Sequence, residues 1–226
     1  MYLIGSGYIG GPDREQFAKV WLKNLDSNPD VNPRKIAIIC SRSERPPVHC
    51  CITDYIVCKG DLGHINDGHS DRQKCVHPIE GWSASMLAAA WIAYNDVCDF
   101  IFVEQDCLPF GPFITKMYEE LGDAMCIFGS VSIQPAAQSL FLVRHGYIPE
   151  FTKRYLDCRL EHKVSTGEES FAMMERDHPE KFRRLSFGFD RDRPPKGFAP
   201  MKDKVFYVQQ VSVDEVRQLR ECGILT

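Results

Sequence analysis

Asp99-Phe100-Ile101-Phe102-Val103-Glu104-Gln105-Asp106-Cys107 is the stretch that decides the fold. Four consecutive apolar residues, Phe100 to Val103, fit a strand buried on both faces, as in the interior of a parallel sheet. Two carboxylates, two positions apart, close it. Acids at the end of a core strand repel each other and resist desolvation unless a cation or a donor-rich ligand meets them. Hard oxygen ligands suit Mg²⁺ or Mn²⁺, which bind through one or two carboxylates plus substrate phosphates. A plainer alternative is that Glu104 caps a turn and Asp106 caps a helix starting at Pro109.

Upstream, strand-like and helix-like segments alternate. Tyr2 to Ile4 fits a short strand. Asp13 to Leu25 fits a helix, with Phe17, Val20, Trp21 and Leu25 on one face and Asp13 and Gln16 as a capping box. Lys35 to Cys40 and Ile52 to Cys58 fit strands. Lys59 to Pro78 is rich in Gly, Asp, Asn and His and fits a long functional loop. Ser83 to Asn95 is apolar nearly all round, hence a buried helix, with Trp91 in the core. Downstream, Ala124 to Val131, Ser139 to Val143 and Lys204 to Gln209 fit strands. Pro149 to Leu156 and Glu168 to Asp177 fit helices, and Ser212 with Glu215 forms a capping box for a last helix at Val213. The β-α-β order predicts an α/β fold: one domain with a central mixed, mostly parallel sheet flanked by helices, and ligand at the carboxyl ends of its strands.

The 226 residues are 44% hydrophobic and 26% charged, which excludes disordered and fibrous classes. With 27 basic against 31 acidic residues the net charge is −4, so nucleic acid is not an expected partner. The longest apolar run, Met86 to Tyr94, is too short for a membrane span, which needs about 20 residues. The first residues lack the basic flank of a secretory leader, so a cytoplasmic protein is expected. The ten cysteines are too sparse for a disulfide scaffold and read as buried free thiols.

Further motifs compete for function. Gly5-Ser6-Gly7-Tyr8-Ile9-Gly10 is a Gly-x-Gly-x-x-Gly before a helix, the pattern that lets backbone approach a pyrophosphate. With Arg42 after the next strand and no acid there, it would suit NADP, making an NADP-dependent oxidoreductase the alternative function. Residues 63–77 hold three His and one Cys; a zinc site or a polar lid are both open readings. Residues 183–204 carry seven basic side chains, Arg183, Arg184, Arg191, Arg193, Lys196, Lys202 and Lys204, either a solvated loop or a flap that neutralises a leaving diphosphate. Trp82, at a helix start, is either core or a stacking platform.

The segment Gly81-Trp82-Ser83-Ala84-Ser85-Met86 running into Asp99 to Asp106 resembles the nucleotide-binding half of GT-A-fold glycosyltransferases. Glu104-Gln105-Asp106 is similar to that family's Asp-x-Asp or Glu-x-Asp signature. Thr166-Gly167-Glu168-Glu169-Ser170-Phe171 is similar to the acidic pair that opens a helix in its inverting members. The resemblance spans residues 1 to about 215 and names no subfamily. It implies a nucleoside-diphosphate sugar donor, a divalent ion (Mn²⁺ or Mg²⁺), and a glycan, protein or small-molecule acceptor. It implies a donor-binding half over 1–107 and an acceptor-binding half over 108–226. Asp106 and Glu104 would hold the metal, and Glu169, or else Glu168, would be the base of an inverting transfer. Ser6, Gly7, Tyr8, Arg42, Trp82, Ser83, Ser85, Glu104 and Gln105 would line the donor, with the N-terminal glycines in the loop after the first strand. The family often has a late His completing the metal site; the matching stretch Phe206 to Val211 has none, and Gln210 is the oxygen available there.

Overall fold

The computed structural model describes residues 1–8, 12–40, 53–57, 81–129, 136–162, 164, 166–189 and 193–225. Arg42, Arg191, the 63–77 loop and Cys50, Cys51, Cys58 and Cys75 lie outside them. In chain order the elements are β1 (Tyr2–Tyr8), α1 (Pro12–Asp26), β2 (Lys35–Cys40), β3 (Thr53–Val57), α2 (Trp82–Asn95), β4 (Asp99–Val103), β5 (Leu108–Phe110), α3 (Phe113–Leu121), β6 (Cys126–Gly129), β7 (Ala137–Val143), α4 (Ile148–Leu160), α5 (Gly167–Asp177), β8 (Phe182–Arg184), β9 (Phe206–Val208) and α6 (Val213–Glu221). The apolar runs at Lys35 and Asp99 give strands with the expected limits. The Ser212/Glu215 capping box forms with both of its hydrogen bonds.

A seven-stranded sheet has the order β3-β2-β1-β4-β7-β6-β8, and a two-stranded ribbon pairs β5 with β9. Four pairings in the large sheet are parallel and two, both made by β7, are antiparallel. The expected mixed, mostly parallel α/β sheet is thus present. Because β2 and β4 lie on opposite sides of β1, the order reverses at β1/β4. Open α/β sheets bind ligands at such a point, beyond the carboxyl ends of the strands.

Strand alternation divides the core. Ile4, Ile36, Ile38, Ile101 and Val103 face α1, α3 and α6. Leu3, Ala37, Ile39, Phe100 and Phe102 face α2, α4 and α5. The second layer is largely aromatic: Phe102 stacks on Phe141 at 5.3 Å, and Phe141 meets Phe171 edge-on at 5.0 Å. Burying each such ring is worth about 1.5–3 kcal/mol. Five described cysteines are buried free thiols and Cys222 is partly buried, as the composition suggested.

Three expectations change. β1 runs through Gly5-Ser6-Gly7 to Tyr8, so these glycines are strand residues and do not form a loop. A Cβ on Gly5 would lie 2.6 Å from the Ala89 Cβ and 2.7 Å from Phe100 Cε2, and one on Gly7 2.8 Å from Ser85 Oγ. The glycines are there because α2 lies directly on β1. Pro109 sits in β5, so Asp106 caps no helix there; the next helix, α3, starts at Phe113 behind a left-handed Gly111. Trp91 is 43% exposed and lies outside the core; its ring rests edge-on against Tyr94.

Gly5→Ala tests the close approach. Overpacking of this kind costs about 1–3 kcal/mol, so the urea midpoint should fall with the slope unchanged. An unaltered midpoint would mean that α2 sits further from β1.

Candidate active site

The end of β4 sets the site. Glu104 leaves the sheet with its backbone N–H donating to Ser139 O at 2.9 Å, and Cys107 N–H turns back to Glu104 O at 2.9 Å. That tight turn holds Glu104, Gln105 and Asp106, all half-buried, on the rim of the sheet at the β1/β4 reversal.

Since β7 runs against β4, its beginning meets the end of β4. The β6/β7 register shifts here, Phe128 opposing Phe141 but Gly129 opposing Ala137. Such an irregularity re-aims side chains. Gln138 turns toward α5: its Oε1 occupies the place a Cβ on Gly167 would take, 1.8 Å away, with Trp82 Cζ3 at 3.2 Å from the same point. Only glycine allows Gln138 and Trp82 to close on the start of α5.

That start carries the acid pair. Thr166 caps α5 by accepting from Glu169 N–H at 3.2 Å, which places Glu168 and Glu169 in the first turn. The helix dipole favours carboxylates there. Glu168 is half-buried and Glu169 exposed. Glu168 lies near enough to add its field to the Tyr155 phenol, which burial pushes up to about 12; Tyr155 OH and Ser83 Oγ share a 2.7 Å hydrogen bond.

The β9–α6 turn closes the rim. Val211 N–H donates to Asp106 O at 3.3 Å, and Gln209 Nε2 donates to Glu104 Oε2 at 3.3 Å. Gln209, not Gln210, reaches the acidic end of β4. Gln210 is exposed and takes a left-handed φ of 52°. Arg193 braces this turn, donating to the carbonyls of Gln209 at 2.9 Å and Gln210 at 3.2 Å and to both Glu215 oxygens.

The other expected site residues divide. Ser6 and Tyr8 lie buried near the carboxyl end of β1, and Gly7 beneath the first turn of α2. Ser85 Oγ donates to Gly81 O at 2.9 Å. Trp82 packs among Phe102, Phe141, Tyr155 and Phe171, its nearest ring centroid 5.2 Å away. Trp82, Ser83 and Ser85 therefore form the floor of the rim, and Trp82 is a core ring. In the basic stretch, Arg184 is held by Glu175 at 2.6 Å and Arg193 by Glu215, so neither charge is spare for a diphosphate; Lys196, Lys202 and Lys204 are exposed.

Several buried polar atoms around this rim have no hydrogen-bond partner among the described residues: Gln105 Oε1, Gln138 Oε1, Ser139 Oγ, Gln209 Oε1 and Trp82 Nε1. Native interiors hold few such atoms, and each calls for a physical account such as a bound water or ion. Among the described residues no group of three or more His, Cys, Asp or Glu could hold a metal ion. Two carboxylates and an unpaired amide oxygen do suit a hard divalent ion that takes its remaining ligands from a diphosphate. Sequence reading missed Gln209, Gln138 and Ser139; the available signal was two polar residues opening the apolar run Ala136 to Val143.

No protein-family profile matches the sequence, and no curated protein matches it. Solved structures do match in fold. The galactosyltransferase LgtC, in complex with donor and acceptor sugar analogs, is 9% identical with a TM-score of 0.55, over 100% of this chain and 96% of LgtC. Mouse xyloside xylosyltransferase 1 is 10% identical with a TM-score of 0.56, over 95% and 98%. The glycosyltransferase GlyE of Streptococcus pneumoniae is 12% identical with a TM-score of 0.53, over 95% of this chain and 55% of GlyE. The fold is that of GT-A glycosyltransferases, as the resemblance implied. The oxidoreductase alternative finds no support: Gly5 and Gly7 lie in a strand under α2, and the neighbours are glycosyltransferases. No helix among the described residues is long and apolar enough to cross a membrane.

The Arg193–Glu215 brace carries a pH signature. Burial works against ionisation of Glu215, but hydrogen bonds from Arg193 and Ser212 outweigh it and hold the carboxyl below its usual 4.5. A lowered folded-state pKa gives stability that is complete above the unfolded-state value and is lost as pH falls through the folded-state one. Urea unfolding of the native chain and of Glu215→Gln checks this: the gap between them should be wide near neutral pH and narrow at about pH 3, below the ordinary carboxylate range. A gap independent of pH would remove the ionised brace.

Proposed function

We propose that the chain transfers a sugar from a nucleoside-diphosphate sugar to an acceptor hydroxyl. What carries this reading is the meeting, on one rim, of the Glu104-Gln105-Asp106 end of β4 with the acid-led start of α5. The GT-A neighbours support it at the level of fold. Galactosyl and xylosyl enzymes both appear among them, so the choice of hexose or pentose stays open in this proposal.

Residues 1–107 form the donor half, with Ser6, Gly7, Tyr8, Arg42 and Gln105 on the nucleotide-sugar side. Residues 108–226 form the acceptor half, which receives a glycan, a protein or a small molecule. Asp106 and Glu104 would hold Mn²⁺ or Mg²⁺, a Lewis acid for the charge that grows on the leaving diphosphate. Glu169 or Glu168, in the first turn of α5, takes the proton of the acceptor hydroxyl. A base on the acceptor side and a leaving group on the opposite side favour a single displacement that inverts the anomeric centre.

A thermal-shift panel of nucleotide sugars, with and without Mn²⁺, tests the donor class: the right donor should raise the melting point only when the cation is present. Asp106→Asn should abolish that shift and Mn²⁺-dependent donor hydrolysis. Removing a general base lowers rates by about 10²–10⁴, so Glu169→Gln or Glu168→Gln should do so while donor binding persists. Full transfer by both variants would place the base elsewhere. The anomeric configuration of the product, read by proton NMR, decides inversion.

A further inference from the structure

We infer that the outward face of α2, widened by α4, joins two copies of this chain, with their α2 helices antiparallel across a two-fold axis. The inference is independent of the reading of the rim. Across its 14 residues, Trp82–Asn95, α2 carries no charged side chain. A helix that is apolar on every face is ordinarily buried on every face. Here the sheet covers one side, through Met86, Ala89 and Ala93, and Ser83 bonds to Tyr155 of α4 on another. The stripe of Ala84, Leu87, Ala88 and Trp91 shares one helical face and is not fully covered; Trp91 is 43% exposed. Beside it runs a second apolar strip. At about 100° per residue, Leu156 and Leu160 fall on the flank of Tyr155 away from Cys158, whose thiol approaches α5 at Ser170 O. Leu156 is half-buried and Leu160 is 51% exposed.

This face is complementary to itself, as a two-fold contact must be, because each copy presents the same surface to the other. Any charge there risks meeting its like; the stripe has none. The charges near it are already paired, Asp96 with Lys35 at 3.0 Å and Asp157 with Lys153 at 2.8 Å. Along α2 the stripe reads small, large, small, large, and its spacing is the same in either direction. An antiparallel pair with its axis between Leu87 and Ala88 therefore sets Trp91 on the partner's Ala84 and Leu87 on the partner's Ala88. A parallel pair would set Trp91 against Trp91 and Ala84 against Ala84, crowding one end and leaving a void at the other, which close packing disfavours. Trp is also among the residues that anchor interfaces most often. α2 alone, about 21 Å long, is too narrow for the roughly 800 Å² per partner of a standard interface. With α4 the face reaches the low end of specific contacts, so the dimer expected is a micromolar one.

Sedimentation equilibrium of the full chain tests this, with a monomer–dimer equilibrium as the expected result. Trp91→Glu and Ala84→Lys should each weaken dimerisation by at least about thirtyfold. The double variant should regain it relative to either single change, because antiparallel pairing brings the two altered positions, of opposite charge, together. Circular dichroism shows whether the variants are folded. If they are not, acrylamide quenching of the native chain decides: Trp21 and Trp82 are buried, so Trp91 is the quenchable ring, and its quenching should fall as the concentration rises through the Kd. A native chain that stays monomeric at about 100 µM, well above the micromolar range of such contacts, overturns the proposal. So does a dimer that both single variants leave intact. Protection of Trp91 in a monomer, seen only on adding phosphatidylcholine–phosphatidylserine vesicles, makes the face a lipid contact and overturns it as well. A dimer that the single changes abolish and the double variant does not regain overturns the antiparallel register.

Discussion

The arrangement depends on one constraint: among the described residues, β7 is the only strand of the large sheet that runs against both its neighbours, and it lies beside β4. A parallel neighbour would place its own carboxyl end next to that of β4. The antiparallel one brings its beginning, Ala137 to Ser139, instead. Glu104 is thus bonded to Ser139, and Gln138 is turned against Gly167. The start of α5, at Gly167, then closes on Gln138 at the beginning of β7 and on Trp82. The aromatic layer of Phe102, Phe141, Phe151 and Phe171 keeps these elements together from below, with ring pairs adding about 0.5–1.5 kcal/mol each beyond their burial.

What the sequence revealed follows from how local each signal is. The limits of β2 and β4 are legible because an unbroken apolar run needs no partner to be recognised. The start of α6 is legible because Ser212 and Glu215 satisfy each other's backbone across one turn. β5 and β8 are three-residue strands that exist only through pairing with distant segments, and no local pattern announces them, whereas β9 falls inside the expected Lys204 to Gln209 run. The glycines of β1 misled for a related reason. A glycine that frees a loop and one that admits a helix onto a strand look alike in sequence; only the 2.6 Å approach of Ala89 separates them.

The site shows the same division. Glu104 and Asp106 stand out because acids ending an apolar run are costly and therefore conspicuous; Glu168 and Glu169 stand out only through the likeness of their stretch to a family motif. Gln209 and Gln138 do not, since a glutamine next to a strand is ordinary until its neighbours are known. The basic stretch shows the reverse error. Arg184 and Arg193 counted toward a positive flap, yet Glu175 and Glu215 engage them, and Arg193 serves to hold the turn that positions Gln209.

The long-range character of the rim bears on how the chain acquires it. β4 pairs with β1 across almost a hundred residues, and the Gln209–Glu104 contact joins positions 105 apart. Closing such loops is entropically slow and is rewarded only once both ends are in place. During synthesis the first four strands can assemble into a sheet whose carboxylates still lack their amide partner. The rim is therefore complete only once β9 and the turn after it are in place.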